Sequence, residues 1–118
     1  MNHNPSESNT VLLLPNNGMG IANTEMQHKL LRNYLSIIND NGYFPKTICF
    51  YTEGVKLVIT GSPILQQLKS LEGKGVRLVI CLTCLKDFGV YDQVQVGTIG
   101  SMMDIIEAQR DAEKVITL

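Results

Sequence analysis

Excess charge of either sign is missing from this chain: 10 Lys and Arg stand against 11 Asp and Glu, a formal net charge of -1. Without a basic patch there is no electrostatic footprint for nucleic acid. No Lys/Arg run is present to hold anionic lipid. Long apolar runs are missing too. The longest are about strand length, well short of the roughly 20 residues that a membrane span needs. The opening MNHNPSESNT has neither a basic n-region nor an apolar h-region, so no secretory signal is expected there. Residues 1–9 read instead as a disordered polar lead-in. Cysteine is scarce, three in all. A sparse, odd set excludes a disulfide framework and fits a reducing, cytoplasmic setting. No G-x-G-x-x-G occurs, so the dinucleotide fingerprint fails. No Ser/His/Asp set and no convincing carboxylate pair occurs either. No cofactor is expected.

What is present is ordinary globular composition. The 118 residues are 44% hydrophobic and 18% charged, enough for one domain with a real core, here residues 10–118. TVLLL (10–14) reads as a strand running into the turn PNNGMG. A helix follows, with Thr24 as its expected cap. Met26, Leu30, Leu31, Tyr34, Leu35 and Ile38 recur at helical spacing, and Asn41-Gly42 ends it. KTICFY (46–51) is the next expected strand. TEGVKLVIT is ambiguous between a strand and a turn of helix near Gly54. Ser62 then caps a helix with Pro63 at its first position. VRLVI (76–80) is the third strand and QVQVGTI (93–99) the fourth. Ser101 caps a last helix carrying Met102, Ile105, Ile106 and Gln109. KVITL (114–118) is the final strand. Strands of about five residues alternate with helices, which predicts right-handed βαβ units and a parallel sheet. The strands are continuously apolar, which predicts burial on both faces.

Ligands of an open parallel sheet bind at the carboxyl ends of its strands. That edge would gather Asn16–Gly20, Thr52–Val55, Cys81–Cys84 and Gly97–Ser101. Cys81 is expected as the first residue off a buried strand, and Cys84 in the first turn of the next helix. Backbone N–H groups there would favour a thiolate at either position. A thiolate attacks a sulfane sulfur or a disulfide, and the second thiol can resolve the product. The alternative is that both are simply small buried residues. A zinc site needs four ligands, and only Cys49, His3 and His28 remain as candidates. Cys49 is expected in the core and His28 on the solvated helix surface, so no metal is expected. The NNGMG turn (16–20), with Gly18 and Gly20, could cradle an anion or simply make a tight connection. GTIGSMM (97–103) is open in the same way, with Met102 and Met103 expected as core filler. Glu53 is a lone carboxylate that could accept a proton or sit in solvent.

Several segments together resemble the DsrE/DsrF-like family. They are PKTICFYTEGVKL, GSPILQQLKSLEGKGVRLVICLTCLKDFGV, QVQVGTIGSMMDII and the terminal KVITL. The branch they resemble most is the C-terminal domain of the YedF sulfurtransferase-like proteins of selenium metabolism. That branch has Cys-Gly-Thr-Cys-Leu where this chain has Cys81-Leu82-Thr83-Cys84-Leu85. Its Asn-x-Gly-Val-Lys-Leu appears here as Thr52-Glu53-Gly54-Val55-Lys56-Leu57. Its Val-Gly-x-x-Asn-Met turn appears as Val96–Met102, with Ser101 where Asn is usual. Leu82 stands in place of a Gly that would let backbone approach a ligand closely. The resemblance implies a three-layer α/β/α sandwich with a five-stranded parallel sheet, assembled as a homo-oligomer. It implies a persulfide carrier in which Cys81 accepts the sulfur and Cys84 assists. Asn16, Gly18, Gly20, Glu53, Gly54, Thr83, Gly97 and Ser101 would line the ligand edge. A SirA-like carrier would serve as sulfur donor or acceptor. A non-catalytic binding module and a dithiol redox protein are the alternatives on the same fold.

Overall fold

The computed structural model describes residues 9–118. Residues 1–8 of the expected lead-in lie outside the described residues. Asn9 is tied down: its side chain donates to the Asp111 carbonyl at 2.7 Å, and its own carbonyl accepts from Glu113 N–H at 2.9 Å.

Five strands form one sheet: β1 (Thr10–Leu14), β2 (Thr47–Phe50), β3 (Arg77–Cys81), β4 (Thr98–Gly100) and β5 (Lys114–Thr117). The spatial order is β4-β3-β2-β1-β5, and every pairing is parallel. The chain therefore steps outward three times in one direction and then returns across the whole sheet to β5. Right-handed crossovers place the outward helices on one face and the return helix on the other. The outward helices α1 (Thr24–Asn41) and α2 (Leu65–Gly73) pack against each other. The return helix α4 (Met102–Asp111) packs on β3 and β4. Alternation along β3 shows the two faces: Leu78 and Ile80 point one way, while Arg77 and Val79 lie toward Asp104 of α4.

The core follows from this arrangement. β1, β2 and β3 are central strands and are buried along nearly their whole length. Leu31 and Leu35 of α1, with Leu68 and Leu71 of α2, close one face. Burial on both faces does not extend to β5. Val115 there is 44% exposed, because β5 is an edge strand beyond the reach of α4. The helical stripes are also narrower than their sequence periodicity. Met26 and Leu30 of α1 are exposed, and so are Met102, Met103 and Ile106 of α4, where only Ile105 is buried. The expectation that Met102 and Met103 fill the core is corrected: both precede the turn of α4 that meets the sheet.

Helix ends are set by local chemistry. Asn23, not Thr24, caps α1, its Oδ1 accepting from Met26 N–H at 2.9 Å. Gly42 ends α1 as expected, in the left-handed region at φ 68°. The helix at Ser62-Pro63 begins later than expected, at Leu65; the Ser62 hydroxyl instead accepts from Ile64 N–H at 3.3 Å. Ser101 caps α4 in a reciprocal box with Asp104, whose carboxylate accepts from Ser101 N–H at 2.8 Å.

Two loops differ from expectation in ways that shape the site. TEGVKLVIT resolves into a 3₁₀ segment, Thr52–Val58, after which Ile59 bridges to Val94. The expected strand 93–99 is therefore mostly not in the sheet. Gln95 N–H bonds the Val58 carbonyl at 2.8 Å, and only residues from Thr98 onward pair with β3. Gly97, at φ 88°, makes the change of direction. No helix among the described residues is long and apolar enough to cross a membrane.

Candidate functional site

Cys81 is the last residue of β3, and Cys84 lies within α3 (Leu82–Asp87). The strand runs straight into this short helix, so three residues turn the chain back on itself. The two Sγ atoms come to 3.1 Å, as free thiols. That separation suits a thiol hydrogen bond and exceeds the S–S bond length of about 2.0 Å. The expectation that Cys81 is the first residue off the strand is corrected: it is the last residue within it. Its side chain is 2% exposed because β3 continues one residue further than the sequence pattern implied. Cys84 is half-buried and is the more exposed residue of the pair.

The surroundings of Cys84 come from two other strands. Beyond β2, Thr52 N–H donates to Cys84 Sγ at 3.1 Å. Thr52 is the one non-glycine residue at positive φ among the described residues, at 47°. A branched side chain in that region is uncommon and needs local support. Its hydroxyl supplies this by donating to the Pro15 carbonyl beyond β1, with the Tyr51 carbonyl also within reach at 2.8 Å. Gly54 N–H adds bonds to the Pro15 and Tyr51 carbonyls at 3.2 and 2.9 Å. The ends of β1, β2 and β3 are thus laced together around one sulfur.

The surroundings of Cys84 make its thiol harder to ionise. Burial pushes its pKa above the ordinary 9.0, and the hydrogen bond to Cys81 acts in the same direction. Thr52 N–H opposes them by favouring the thiolate. The expectation of a helix-lowered pKa is therefore corrected for Cys84: α3 has only 6 residues, and desolvation outweighs what so short a helix offers. Cys49, fully buried on β2, is pushed up to about 11 by burial, with Arg77 pulling weakly the other way. It takes no part in the site. An unfolded chain gives up this proton first as pH rises, so its contribution to stability is whole below pH 9.0 and is lost on approaching about 11. The loss should reach roughly 2–3 kcal/mol. Urea midpoints measured across that range should fall further in the unaltered chain than in Cys49→Val; equal falls would refute the assignment.

The other expected site residues divide. Asn16 donates to the Gly20 carbonyl at 3.2 Å, which also accepts from Gln27 at 2.8 Å. Gly18, at φ 140°, lies where any Cβ would strike Gln27. These contacts zip the loop after β1 onto α1. Glu53 is exposed and pairs with Lys56 at 2.6 Å, a surface pair of small energetic weight. Thr83 is exposed on α3. Gly97 sits against Leu78 and Ile80, and Ser101 is engaged in capping α4. His28 is half-buried, not fully solvated, with Nε2 3.3 Å from Asn17 Oδ1; His3 lies outside the described residues. Thr52 lies in one of the segments expected at this edge, but the sequence assigned it no role there; its N–H on the Cys84 sulfur is what the sequence did not announce.

Comparison with known proteins agrees with this fold. The family model described as "DsrE/DsrF-like family" matches residues 18–118. The solved ychN protein of E. coli is similar in structure at TM-score 0.65 and 16% identity, over 92% of this chain and 98% of that one. A protein of unknown function from Methanobacterium thermoautotrophicum, MTH1491, is similar at TM-score 0.70 and 18% identity, over 95% and 100% of the two chains. A conserved protein of unknown function from Bacteroides thetaiotaomicron, BT1422, is similar at TM-score 0.65 and 17% identity, over 93% and 95%. No curated protein matches the chain. With a five-stranded parallel sheet, helices on both faces and a match across most of its length, the chain belongs to the DsrE/DsrF-like family.

Proposed function

We propose that this chain is a persulfide carrier of sulfur or selenium metabolism, and that Cys84 rather than Cys81 accepts the sulfur. The observation that carries the reading is the thiol pair at the carboxyl edge, with Cys84 the more exposed residue and Thr52 N–H on its sulfur. The Cys84 thiolate attacks the outer sulfur of a donor persulfide. A Cys84–sulfur bond forms, the donor S–S bond breaks, and its electron pair leaves on the donor thiolate. The N–H of Thr52 offsets part of the cost of ionising a half-buried thiol. A thiol of raised pKa ionises less at neutral pH, yet each thiolate is the stronger nucleophile.

The donor fits a protein, such as a SirA-like carrier. Exposed Ile21 and Phe88 lie on connections at the same edge of the sheet and offer apolar contact. Free cysteines suit a reducing cytoplasm. Self-association fits the exposed Met102, Met103, Ile106 and Val115; a light-scattering mass of one chain would refute it.

The carrier reading is tested by incubating the protein with thiosulfate or with a cysteine desulfurase and its substrate, then weighing it intact at short times. A gain of one sulfur on Cys84 is expected. No gain, with no sulfide released, would refute it.

A further inference from the structure

Resting on the carrier reading, we infer that Cys81 discharges the bound sulfur as hydrogen sulfide, closing a Cys81–Cys84 disulfide, so the chain is a dithiol-driven sulfide-releasing protein.

The burial of the pair assigns the roles. Cys81 is 2% exposed, so a protein donor cannot place sulfur on it, and Cys84 is the sulfur that it touches. Cys84 is the less buried residue of the pair, so the room for the outer sulfur of its persulfide lies on its side, away from Cys81. Cys81 therefore approaches Cys84 from the interior side, opposite the leaving sulfur. The separation of 3.1 Å is already in the range of a near-attack contact. Closure to a disulfide needs a movement of about 1 Å. Thr52 N–H holds Cys84 Sγ in place from a third direction, independent of either cysteine's own backbone.

The Cys81 sulfur bonds to Cys84 Sγ while the bond from Cys84 to the outer sulfur breaks. The electron pair leaves with the outer sulfur, which takes the Cys81 proton and a second proton already on the persulfide, and departs as hydrogen sulfide. The sulfane sulfur is reduced and the two cysteines are oxidised. A dithiol, small or on a protein, must then reduce the disulfide before another round.

Competition with relay decides the outcome. An external acceptor must arrive from solution, whereas Cys81 is already in contact. Groups held in such contact react with effective concentrations on the order of 10⁵ M or more. Transfer to an acceptor would therefore need one docked before the internal attack occurs.

The experiment loads the unaltered chain, Cys81→Ser and Cys81→Ala with thiosulfate, removes the donor by gel filtration, and follows sulfide and intact mass without added thiol. The unaltered chain should release one sulfide per chain and finish two hydrogens lighter than it began. Both Cys81 variants should keep the extra sulfur at least about tenfold longer, given the lost contact nucleophile. An unaltered chain that keeps its extra sulfur as long as the variants overturns this inference and leaves the carrier reading standing. No sulfur gained by any of the three overturns the carrier reading and this inference with it. Because sulfide release and loss of two hydrogens are both read on the unaltered chain, misfolding of a variant does not obscure the result.

Discussion

Cys84→Ser is expected to take up no sulfur from a persulfide donor, while Cys81→Ser still gains one sulfur atom per chain. The asymmetry follows from burial, since the two thiols touch at 3.1 Å but Cys84 is the more exposed residue. A serine hydroxyl at position 84 keeps the shape and the Thr52 contact, yet it is not ionised near neutral pH and does not form a persulfide. Loss of the nucleophile should therefore be complete rather than partial. Cys81→Ala, unlike Cys81→Ser, removes the side-chain acceptor to which Cys84 is hydrogen-bonded, a bond that raises the Cys84 pKa. Uptake by that variant should persist and should begin at lower pH than in the unaltered chain. Intact mass at short reaction times, read across neutral to alkaline pH, checks both points. Uptake by Cys84→Ser, or its loss in a folded Cys81→Ser, would return the accepting role to Cys81.

The second large effect is structural. Gly54→Ala should lower the stability by roughly 3–5 kcal/mol, a substantial share of the roughly 5–15 kcal/mol typical of a domain. A Cβ at Gly54 would be driven into the Leu14 carbonyl oxygen and would lie 2.8 Å from its carbon. Both are backbone atoms at the end of a central strand and cannot rotate aside. Relief requires the 3₁₀ segment to lift, which breaks the Gly54 N–H bonds to Pro15 and Tyr51. Lifting would also carry Thr52 away from Cys84, so the thiol should lose its N–H donor together with the stability. Gly73→Ala is the control. Gly73 has an ordinary helical conformation and no neighbour within 4 Å of an added Cβ, so that change should be neutral or stabilise by up to about 1 kcal/mol. Urea midpoints of the two variants should move in clearly different ways. A Gly54→Ala midpoint close to the unaltered one would show that the segment has slack that the packing does not reveal.

The cysteine pair and Thr52 show how much of the site could be read from residues in a row. The Cys-x-x-Cys spacing at the end of an apolar run was visible, and so was its place at the carboxyl edge of a parallel sheet. Thr52 was visible only indirectly. The motif resemblance led to the expectation of an Asn at this position, a residue that tolerates positive φ. That preference was a signal of unusual backbone, but nothing local to Tyr51-Thr52-Glu53 announced that its N–H would meet a sulfur 32 residues away. Glu53, Gly97 and Ser101 stood out for their chemistry in the sequence. Their roles in space are an ion pair with Lys56, a change of chain direction, and a helix cap.

Local rules were enough for the alternation of strands and helices, the glycine stop at Gly42 and the Ser101 cap, because each depends on neighbours within about four residues. Hydrophobic pattern was likewise enough for a parallel sheet with buried central strands. It was not enough for the fourth strand, because Val94 and Gln95 had an equally good partner in the segment after Thr52 and took it. Nor could it rank the two cysteines. Which sulfur is covered depends on where β3 stops, and which has a donor depends on the turn after β2. Those are contacts between distant parts of the chain, and their energies enter only once the sheet has brought its strand ends together.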